Sequence, residues 1–284
     1  TVAKQSPKKN RNSKCVARPA VNAKALPHHW ASNLVRARAV TKTRKVDTVM
    51  DLKELGLVNP QTHWYYQAKI LPFKLAFKKY SKNSKTVYDV GAGSGFFAKS
   101  ITQLDANLSA ICIDPNYEKE WSENSGKLKF VKAVKNPTAD IYLFVDVLEH
   151  VADDLGLLRM YTDFAPPGAI IMISVPAFMT LWSPHDVFVE HYRRYRLKQV
   201  ETLVIQSGLE LLESRYLFGS IFPIAWLVRR LKRNDSPSSD LATMPLPLNT
   251  ILKVLLKLEH RIRINKLAGI STFVVARVKT NSAK

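Results

Sequence analysis

A turn with a glycine at every second position constrains the fold of this chain more than any other feature. Residues 87–90, which are apolar apart from Asp89, predict a β-strand. The turn at 91–95 follows, and the segment from Phe96 has helical character. Glycine is needed where a side chain would clash with a close neighbour or would forbid the backbone angles. A strand, a glycine turn and a helix in this order are typical of open α/β sheets, which bind nucleotide-like ligands at the carboxyl ends of their strands.

The spacing of the three glycines differs from that of two well-known phosphate-binding loops. It is neither the G-x-G-x-x-G of dinucleotide sites nor a P-loop with its Gly-Lys-Ser/Thr. Asp89 precedes the turn, and an acid there suits an adenosyl cofactor with a cationic amino-acid tail better than a pyrophosphate. A second apolar run, 108–113, ends at Asp114 and Pro115, where the acid would bind a ribose diol.

The chain resembles class I S-adenosylmethionine-dependent methyltransferases in the Asp-Val-Gly-Ala-Gly-Ser-Gly of residues 89–95, in Asp114 and in the Asp-Val-Leu-Glu-His-Val of residues 146–151. This resemblance extends over residues 60–280 and implies S-adenosylmethionine as the cofactor. It implies that the turn passes under the methionine and ribose portions and that Asp114 binds the ribose hydroxyls. The cofactor-binding residues that it implies are Asp89, Gly91, Ala92, Gly93, Gly95, Asp114, Pro115, Asp146, Val147 and His150.

The chain departs from the family pattern after the third predicted strand. Residues 132–136 contain no acid where many relatives bind the adenine amino group. We therefore expect backbone groups around Ala133 and Val134, or the side chain of Asn136, to hold the adenine.

Strands and helices alternate along the chain, which is the pattern of a mostly parallel sheet with helices on both faces. The predicted strands are 86–90, 109–113, 128–132, 140–145, 169–175, 209–217 and 272–279. The predicted helices are 98–104, 153–164, 197–206 and 249–264. The predicted fold class is α/β, a doubly wound, Rossmann-like sheet of seven strands with a helical insertion before the last strand. The resemblance implies that this last strand runs antiparallel between the fifth and the sixth.

Four segments follow from this pattern and from the charge distribution. Residues 1–46 form a basic tail, 47–84 an N-terminal helical cap, 85–216 with 271–280 the methyltransferase core, and 217–270 a helical lid that is a candidate membrane-facing element.

The formal net charge of +20 is concentrated in the tail, which holds 12 Lys or Arg and no acid. A segment with few large apolar residues and a single sign of charge is expected to be disordered in isolation. Three interpretations of residues 1–46 stay open. They are an arm that binds RNA or an anionic membrane surface, the remainder of a mitochondrial targeting sequence, and an extension without function.

The number of cysteines and the lengths of the apolar segments indicate the cellular compartment of the protein. Two cysteines exclude a disulfide framework, and no segment reaches the length of a membrane-spanning helix. No apolar stretch follows the first basic residues as it would in a signal peptide. We expect a cytoplasmic protein, with peripheral membrane association as an option and a mitochondrial location as the alternative.

The loop after the fifth predicted strand, 176–195, is unusually rich in His, Asp, Arg and Tyr. A connection of this length in a compact domain is usually functional, and it leaves the sheet edge where the cofactor is expected. Methyl transfer to a hydroxyl needs a base, for which His185 is the first candidate, oriented by Asp186 or Glu190. The candidate catalytic residues are His185, Asp186 and His191, and the candidate substrate-binding residues are Trp182, Tyr192, Arg193 and Arg194. No metal site is predicted, because these residues lack a ligand spacing beyond proximity.

Further motifs resemble those of one particular branch of these methyltransferases. The Trp-Ser-Pro-His-Asp of 182–186 and the His-Tyr-Arg-Arg-Tyr of 191–195 look like a bacterial branch associated with surface glycan or lipid-linked sugar assembly. The aromatic residues 63–66 fit a helix that caps the cofactor, and fit equally a helix packed on the sheet edge. The insertion at 217–264 combines apolar helical spacing with Arg and Lys, which suits either a membrane interface or a packed lid.

The sequence therefore predicts a methyltransferase that O-methylates a small or lipid-linked, sugar-like acceptor. Two alternatives stay open: an RNA methyltransferase that uses the basic tail, and a methyltransferase-like scaffold subunit of a ribonucleoprotein assembly. The chain lacks an Asn-Pro-Pro-Tyr-type tetrad for base amines and a cysteine nucleophile suited to ring carbons, which weakens the RNA interpretation. The sequence predicts neither the methylated atom nor the oligomeric state.

Overall fold

A computed structural model describes residues 58–81, 83–231, 245–260 and 265–280. The strands are β1 Thr86–Val90, β2 Ser109–Ile113, β3 Trp121–Glu123, β4 Leu128–Val131, β5 Ile141–Val145, β6 Ile170–Pro176, β7 Glu210–Leu217 and β8 Ser271–Arg277. The helices are α1 Trp64–Tyr80, α2 Phe96–Thr102, α3 Asp154–Thr162, α4 Pro184–Phe188, α5 Leu197–Gln206, α6 Phe222–Leu231 and α7 Leu246–Glu259. Short 3₁₀ turns lie at Asn124–Gly126, Leu148–His150 and Met179–Leu181.

The strands form one mixed sheet in the order β3-β4-β2-β1-β5-β6-β8-β7. Strands β4, β2, β1, β5 and β6 run parallel, and β8 lies antiparallel between β6 and β7. The predicted Rossmann-like α/β fold and the antiparallel last strand are confirmed. The strand order reverses beside β1, and the crevice at such a switch point is where open α/β sheets bind ligands.

The sheet has eight strands, so the prediction of seven is wrong by one. The additional strand, β3, is only three residues long and pairs antiparallel with β4 at the sheet edge. It carries no alternating apolar pattern, since Trp121 and Ser122 are exposed and Glu123 is half-buried. Its position is set by the Trp121 ring, which stacks on Phe130 at 4.2 Å. That contact depends on tertiary structure and could not be seen in the local sequence.

Burial explains why the central strands form. Every residue of β5 and β6 is buried, as expected for parallel strands that are covered by helices on both faces. On one face, Phe73 of α1 packs its ring against Phe97 and Phe273. On the other face, α3 and α5 supply a second apolar layer. The two layers fix the carboxyl edge of the sheet, where the site lies.

Helices α6 and α7 lie between β7 and β8, as predicted for the helical insertion. Helix α7 packs on α1, where the Asn249 side chain accepts a hydrogen bond from the Trp64 backbone N–H at 2.9 Å. The predicted apolar stripe of α7 does not face the domain: Ile251, Leu255 and Leu258 are exposed, whereas Leu256 is buried.

Among the described residues, the structure contains no helix long and apolar enough to cross a bilayer. The basic tail at 1–46 lies outside the described residues, as do the first part of the predicted cap and the end of the predicted helix at 249–264.

Candidate active site

The glycine turn joins β1 to α2 in a conformation that other residues rarely adopt. Gly91 has φ +67° and Gly95 has φ +69°, both in the left-handed region that favours glycine. A Cβ on Gly91 would lie 2.7 Å from Val147 Cγ2, and one on Gly95 would lie 2.7 Å from Phe130 Cε1. The turn is therefore closely packed, and its backbone groups are fixed at the carboxyl edge of the sheet.

Asp114, at the end of β2, lies against this turn. Its Oδ2 accepts a hydrogen bond from the Gly93 N–H at 3.1 Å, and its Oδ1 accepts one from the Asn116 N–H at 3.0 Å. Tyr117 closes the same unit by donating its hydroxyl to the Gly93 carbonyl at 2.7 Å. The carboxylate is thereby fixed at the end of β2 beside the glycine turn, which is where a ribose diol is expected to bind. Next to it, Pro115 starts the turn that follows β2.

Asp89 has a structural partner within the same unit. Its buried carboxylate accepts the Ala98 N–H at 3.1 Å and so anchors the first turn of α2. A negative charge near a helix N-terminus is favourable, and here it fixes the helix to the strand that precedes it.

An ion pair that the sequence reasoning missed lies at the tip of β5. Lys69 of α1 has a fully buried side chain, and its Nζ lies 2.6 Å from Asp146 Oδ1 and 2.8 Å from the Tyr65 hydroxyl. Burial disfavours the charge on Lys69, but the Asp146 carboxylate outweighs burial and raises the pKa of Lys69 above its ordinary value. Burial, with Asp146, also raises the pKa of Tyr65 to about 12. Nothing in the sequence distinguishes Lys69 from the other lysines of α1, because its partner lies 77 positions away.

Directly after β5, a buried carboxylate faces two imidazoles. Glu149 is fully buried, and its Oε1 lies 3.9 Å from His150 Nε2 and 3.9 Å from His191 Nε2. Burial, with the nearby Asp146, raises the pKa of Glu149 well above its usual range. Burial, with the neighbouring His191, holds the pKa of His150 well below its usual range. The motif at 146–151 is visible in the sequence, but the contact of Glu149 with His191 is not, because it joins residues from two separate loops.

A second carboxylate fixes the orientation of His191. Asp186 Oδ1 accepts a hydrogen bond from His191 Nδ1 at 2.7 Å, and Arg194 grips both Asp186 oxygens at 2.6 and 3.0 Å. Burial raises the pKa of Asp186, but the bonds from His191 and Arg194 outweigh this and hold the pKa well below its usual range. The residue that Asp186 orients is thus His191, whereas the sequence analysis paired it with His185.

The structure brings the predicted catalytic residues together. The His150 and His191 rings lie 4.5 Å apart, and the half-buried His185 ring lies 6.3 Å from His191. Asp186 lies directly behind them. His150 follows β5, and His185 and His191 follow β6, so the cluster lies at the carboxyl ends of these strands, which is the expected side of the cofactor site.

The predicted substrate-binding residues are more widely spread. Arg193 donates to Asp154 at 3.2 Å and to two backbone carbonyls of the loop before α3. Arg194 is buried with its guanidinium on Asp186. Tyr192 is exposed and Trp182 is half-buried. Both arginines therefore have structural partners, Arg193 in residues 151–154 and Arg194 within its own loop.

A family model described as a methyltransferase domain matches residues 58–214, more than half of the chain. The chain belongs to this methyltransferase family. The residues matched include the glycine turn, Asp114, the β5 tip and the imidazole cluster. The predicted enzyme class is confirmed.

Curated relatives of this methyltransferase match only in part. A ubiquinone biosynthesis O-methyltransferase of Colwellia psychrerythraea is 26% identical over 147 residues, which cover 45% of this chain and 57% of the relative. A second protein of that name, from Aliivibrio fischeri, is 30% identical over 122 residues, covering 37% of this chain and 51% of the relative. The chain thus spans about half the length of the curated relatives it matches.

A solved structure with a similar fold is the methyltransferase bound to the Trm112 methyltransferase activator of Haloferax volcanii. It is 14% identical with a TM-score of 0.51, and the match covers 84% of this chain and all of that one. At this identity the likeness concerns the fold alone.

S-adenosylmethionine is the cofactor of this methyltransferase. The donor set fits it, because a carboxylate at the end of β2 and the backbone of the glycine turn meet at hydrogen-bond distance. Asp114 would hold the ribose, and the turn at Gly91, Ala92 and Gly93 would pass beneath the methionine portion. Val147 packs under the turn and supports its shape.

Proposed function

We propose that this methyltransferase transfers a methyl group to a hydroxyl oxygen of a lipid-linked, sugar-like acceptor. The observation that carries the proposal is the group of imidazoles, His150, His185 and His191, gathered at the carboxyl edge of the sheet beside Asp146. A hydroxyl acceptor loses a proton on methylation, and imidazole is the side chain that accepts protons near neutral pH.

When bound, S-adenosylmethionine supplies a methyl group activated by its sulfonium. Transfer forms the O–C bond and breaks the S–C bond, whose electron pair goes to sulfur, while the hydroxyl proton must leave. His185 is our candidate for the residue that takes this proton, because its half-buried ring lies 6.3 Å from that of His191 and so belongs to the cluster. Asp186 positions His191 and thereby holds the wall of the site in place.

Two partial relatives support a hydroxyl acceptor, since both carry the name ubiquinone biosynthesis O-methyltransferase. The resemblance of residues 182–195 to a bacterial glycan-assembly branch supports the sugar-like acceptor.

The surface of α6 and α7 supports a lipid-linked acceptor. No residue of α6 is buried, and α7 exposes a long apolar side. The exposed large apolar residues of the two helices are Ile224, Trp226, Leu227, Val228, Leu231, Leu246, Leu248, Ile251, Val254, Leu255 and Leu258. An unpartnered apolar surface of this kind on a folded domain marks an interaction site.

Positive charge at this surface favours an anionic lipid bilayer as the partner. Arg229 and Arg230 lie in the last turn of α6, and Lys253 and Lys257 lie on α7. Amphipathic helices with apolar and basic sides lie in the plane of a membrane interface, with the basic residues at the headgroups. Peripheral attachment would bring the site to an acceptor carried by lipid.

Methyl transfer tests the acceptor class directly. The full chain is incubated with S-adenosylmethionine labelled in the methyl group and with a polyprenyl-linked sugar in phosphatidylglycerol vesicles, with the free sugar, or with RNA. We expect label in the lipid fraction, and His185→Ala should lower turnover by about 100-fold or more. Label in RNA alone, or full turnover by His185→Ala, would contradict the proposal.

Vesicle flotation tests the surface separately. The double variant Ile224→Glu/Leu227→Glu should lose binding to phosphatidylglycerol vesicles, because it places two carboxylates in the apolar side of α6. Ile205→Glu, at an equally exposed isoleucine of α5, is the matched control and should bind normally. Equal binding by both variants would overturn the assignment of this surface.

A further inference from the structure

Glu149 has an unusual environment for a carboxylate. It is fully buried, and within the part of the chain that the structure describes no other residue donates a hydrogen bond to either of its oxygens. Buried charges in proteins are paired or bind metal ions, because an isolated carboxylate in an apolar environment is strongly unfavourable.

The two imidazoles facing Glu149 offer lone pairs. Asp186 can only accept, so its bond to His191 places the ring proton on Nδ1 and leaves Nε2 as an acceptor. His150 bonds the Glu190 backbone through its other nitrogen, and its Nε2 has no hydrogen-bond partner among the described residues. Glu149 Oε1 therefore faces two imidazole nitrogens at 3.9 Å each, with no hydrogen bond from any other described residue, an arrangement that suits a shared cation.

We infer that Glu149, His150 and His191 form a binding site for a divalent transition-metal ion of the Zn²⁺ type. One ligand atom from each residue lies within 4.8 Å of the other two. Two imidazoles and one carboxylate are a ligand set of catalytic zinc sites, which leave a further position open. Mg²⁺ and Ca²⁺ prefer all-oxygen sites, so this ligand set selects against them.

The distances require only a small closure of the site. Ligand atoms around a tetrahedral zinc ion lie about 3.4 Å apart, from metal–ligand distances of about 2.1 Å. Both imidazole nitrogens lie 3.9 Å from Glu149 Oε1. A movement of about 0.5 Å would bring each nitrogen to ligand distance from Glu149. The ligand atoms of the two imidazoles lie within 4.8 Å of each other, so this pair would close by at most about 1.4 Å.

The groups behind the ligands match those found at metal sites. A metal-binding histidine almost always donates its second ring nitrogen to a carboxylate or a carbonyl, which fixes its orientation. His191 does this with Asp186, and His150 does it with the Glu190 backbone. Arg194 in turn donates hydrogen bonds to both oxygens of Asp186, so it fixes the carboxylate that orients His191.

This site deepens the proposed function and rests on it for its role in catalysis. The open position would bind the acceptor hydroxyl beside the β5 tip, and a metal ion lowers the pKa of a bound hydroxyl. The proton would then pass to His185, and the oxygen would attack the methyl carbon as described above. The sequence analysis predicted no metal site, because its ligands come from two separate segments, 149–150 and 191.

Metal binding can be measured without cofactor or acceptor. Full-length protein without an affinity tag is stripped with chelator and titrated with ZnCl₂ by calorimetry and with CoCl₂ by absorption spectroscopy. We expect one strong site per chain and the intense visible bands of four-coordinate Co²⁺. Glu149→Gln and His191→Gln should each abolish the bands, and Asp186→Asn should weaken affinity about 10- to 100-fold.

Two controls separate this site from other groups. His28→Gln/His29→Gln removes a pair of imidazoles from the basic tail, and Glu118→Gln removes an exposed carboxylate. Neither should change the strong site. Unchanged Co²⁺ bands in a folded Glu149→Gln or His191→Gln protein would overturn the inference, as would the absence of a strong site in the parent.

The melting temperature of the metal-free protein gives an independent readout. Only the parent should gain stability from ZnCl₂, whereas Glu149→Gln, which lacks one of the ligands, should melt at the same temperature with and without the metal. A parent that gains nothing from ZnCl₂ would contradict the site. If the protein does not bind metal, the metal site is refuted and the methyl-transfer experiment still tests the proposed acceptor. If the protein binds Zn²⁺ but methylates only RNA, the proposed acceptor is refuted and the metal site stands.

Discussion

The buried ion pair between Lys69 and Asp146 allows a quantitative test of how this site is held together. Asp146→Asn removes the carboxylate, and Lys69→Met removes the cation at nearly constant volume. The two side chains differ in exposure, since that of Lys69 is 0% exposed and that of Asp146 is 28% exposed. The two single substitutions should therefore have unequal effects.

The magnitudes follow from what each remaining partner can do. In Asp146→Asn, the buried Lys69 must lose its proton, and neutralising an ordinary lysine at pH 7 costs about 4.6 kcal/mol, from about 3.4 pH units at 1.36 kcal/mol each. In Lys69→Met, Asp146 keeps its charge because water and the Tyr65 hydroxyl still reach it, so we expect a loss of about 2 kcal/mol. Asn tolerates the φ of +53° at position 146, so backbone strain adds little.

The double variant Lys69→Met/Asp146→Asn contains neither charge and should lie within about 1 kcal/mol of the parent. Urea denaturation followed by tryptophan fluorescence gives the free energy of unfolding for all four proteins. Additive losses in the double variant, or a larger loss for Lys69→Met than for Asp146→Asn, would refute the reasoning.

Two further predictions concern the cofactor and pH. Asp114→Ala should weaken S-adenosylmethionine binding about 10- to 100-fold in calorimetry, through lost hydrogen bonds to a charged group, whereas Asp105→Ala, at a half-buried position, should not. An unchanged affinity of Asp114→Ala would exclude the assigned ribose contact. Burial, with Arg215 nearby, lowers the pKa of His260 from 6.5 to about 4, so the unfolded chain binds more protons between these values and stability falls as pH falls. His260→Gln should remove about 3 kcal/mol of the stability lost between pH 7 and pH 4 in urea titrations, and identical pH slopes would contradict this.

The fold could be predicted largely from local patterns. Alternating strands and helices define a doubly wound sheet, and the glycine turn identifies the strand that begins it. The predicted ranges for β1 and β2 match the structure residue for residue. β3 could not be predicted, because a three-residue edge strand has no periodicity and depends on its partner.

The candidate site could be predicted only as a set of segments. The loop at 176–195 and the motif at 146–151 are visible in the sequence, because each combines chemically active residues within a few positions. Their pairing is not visible. Asp186 is adjacent to His185 in sequence but bonds His191, since a turn of α4 brings position 191 back over position 186.

By itself, the sequence determined the fold class and, through its family resemblance, the cofactor, because strand periodicity, turn geometry and short motifs are local properties. The tertiary structure alone decided which charges meet. Lys69 and Asp146 lie 77 positions apart, and Glu149 meets His191 across a sheet edge. Burial determines the energetic consequence of each contact, because a charged group removed from water needs a partner. For Glu149, the inferred partner is a metal ion.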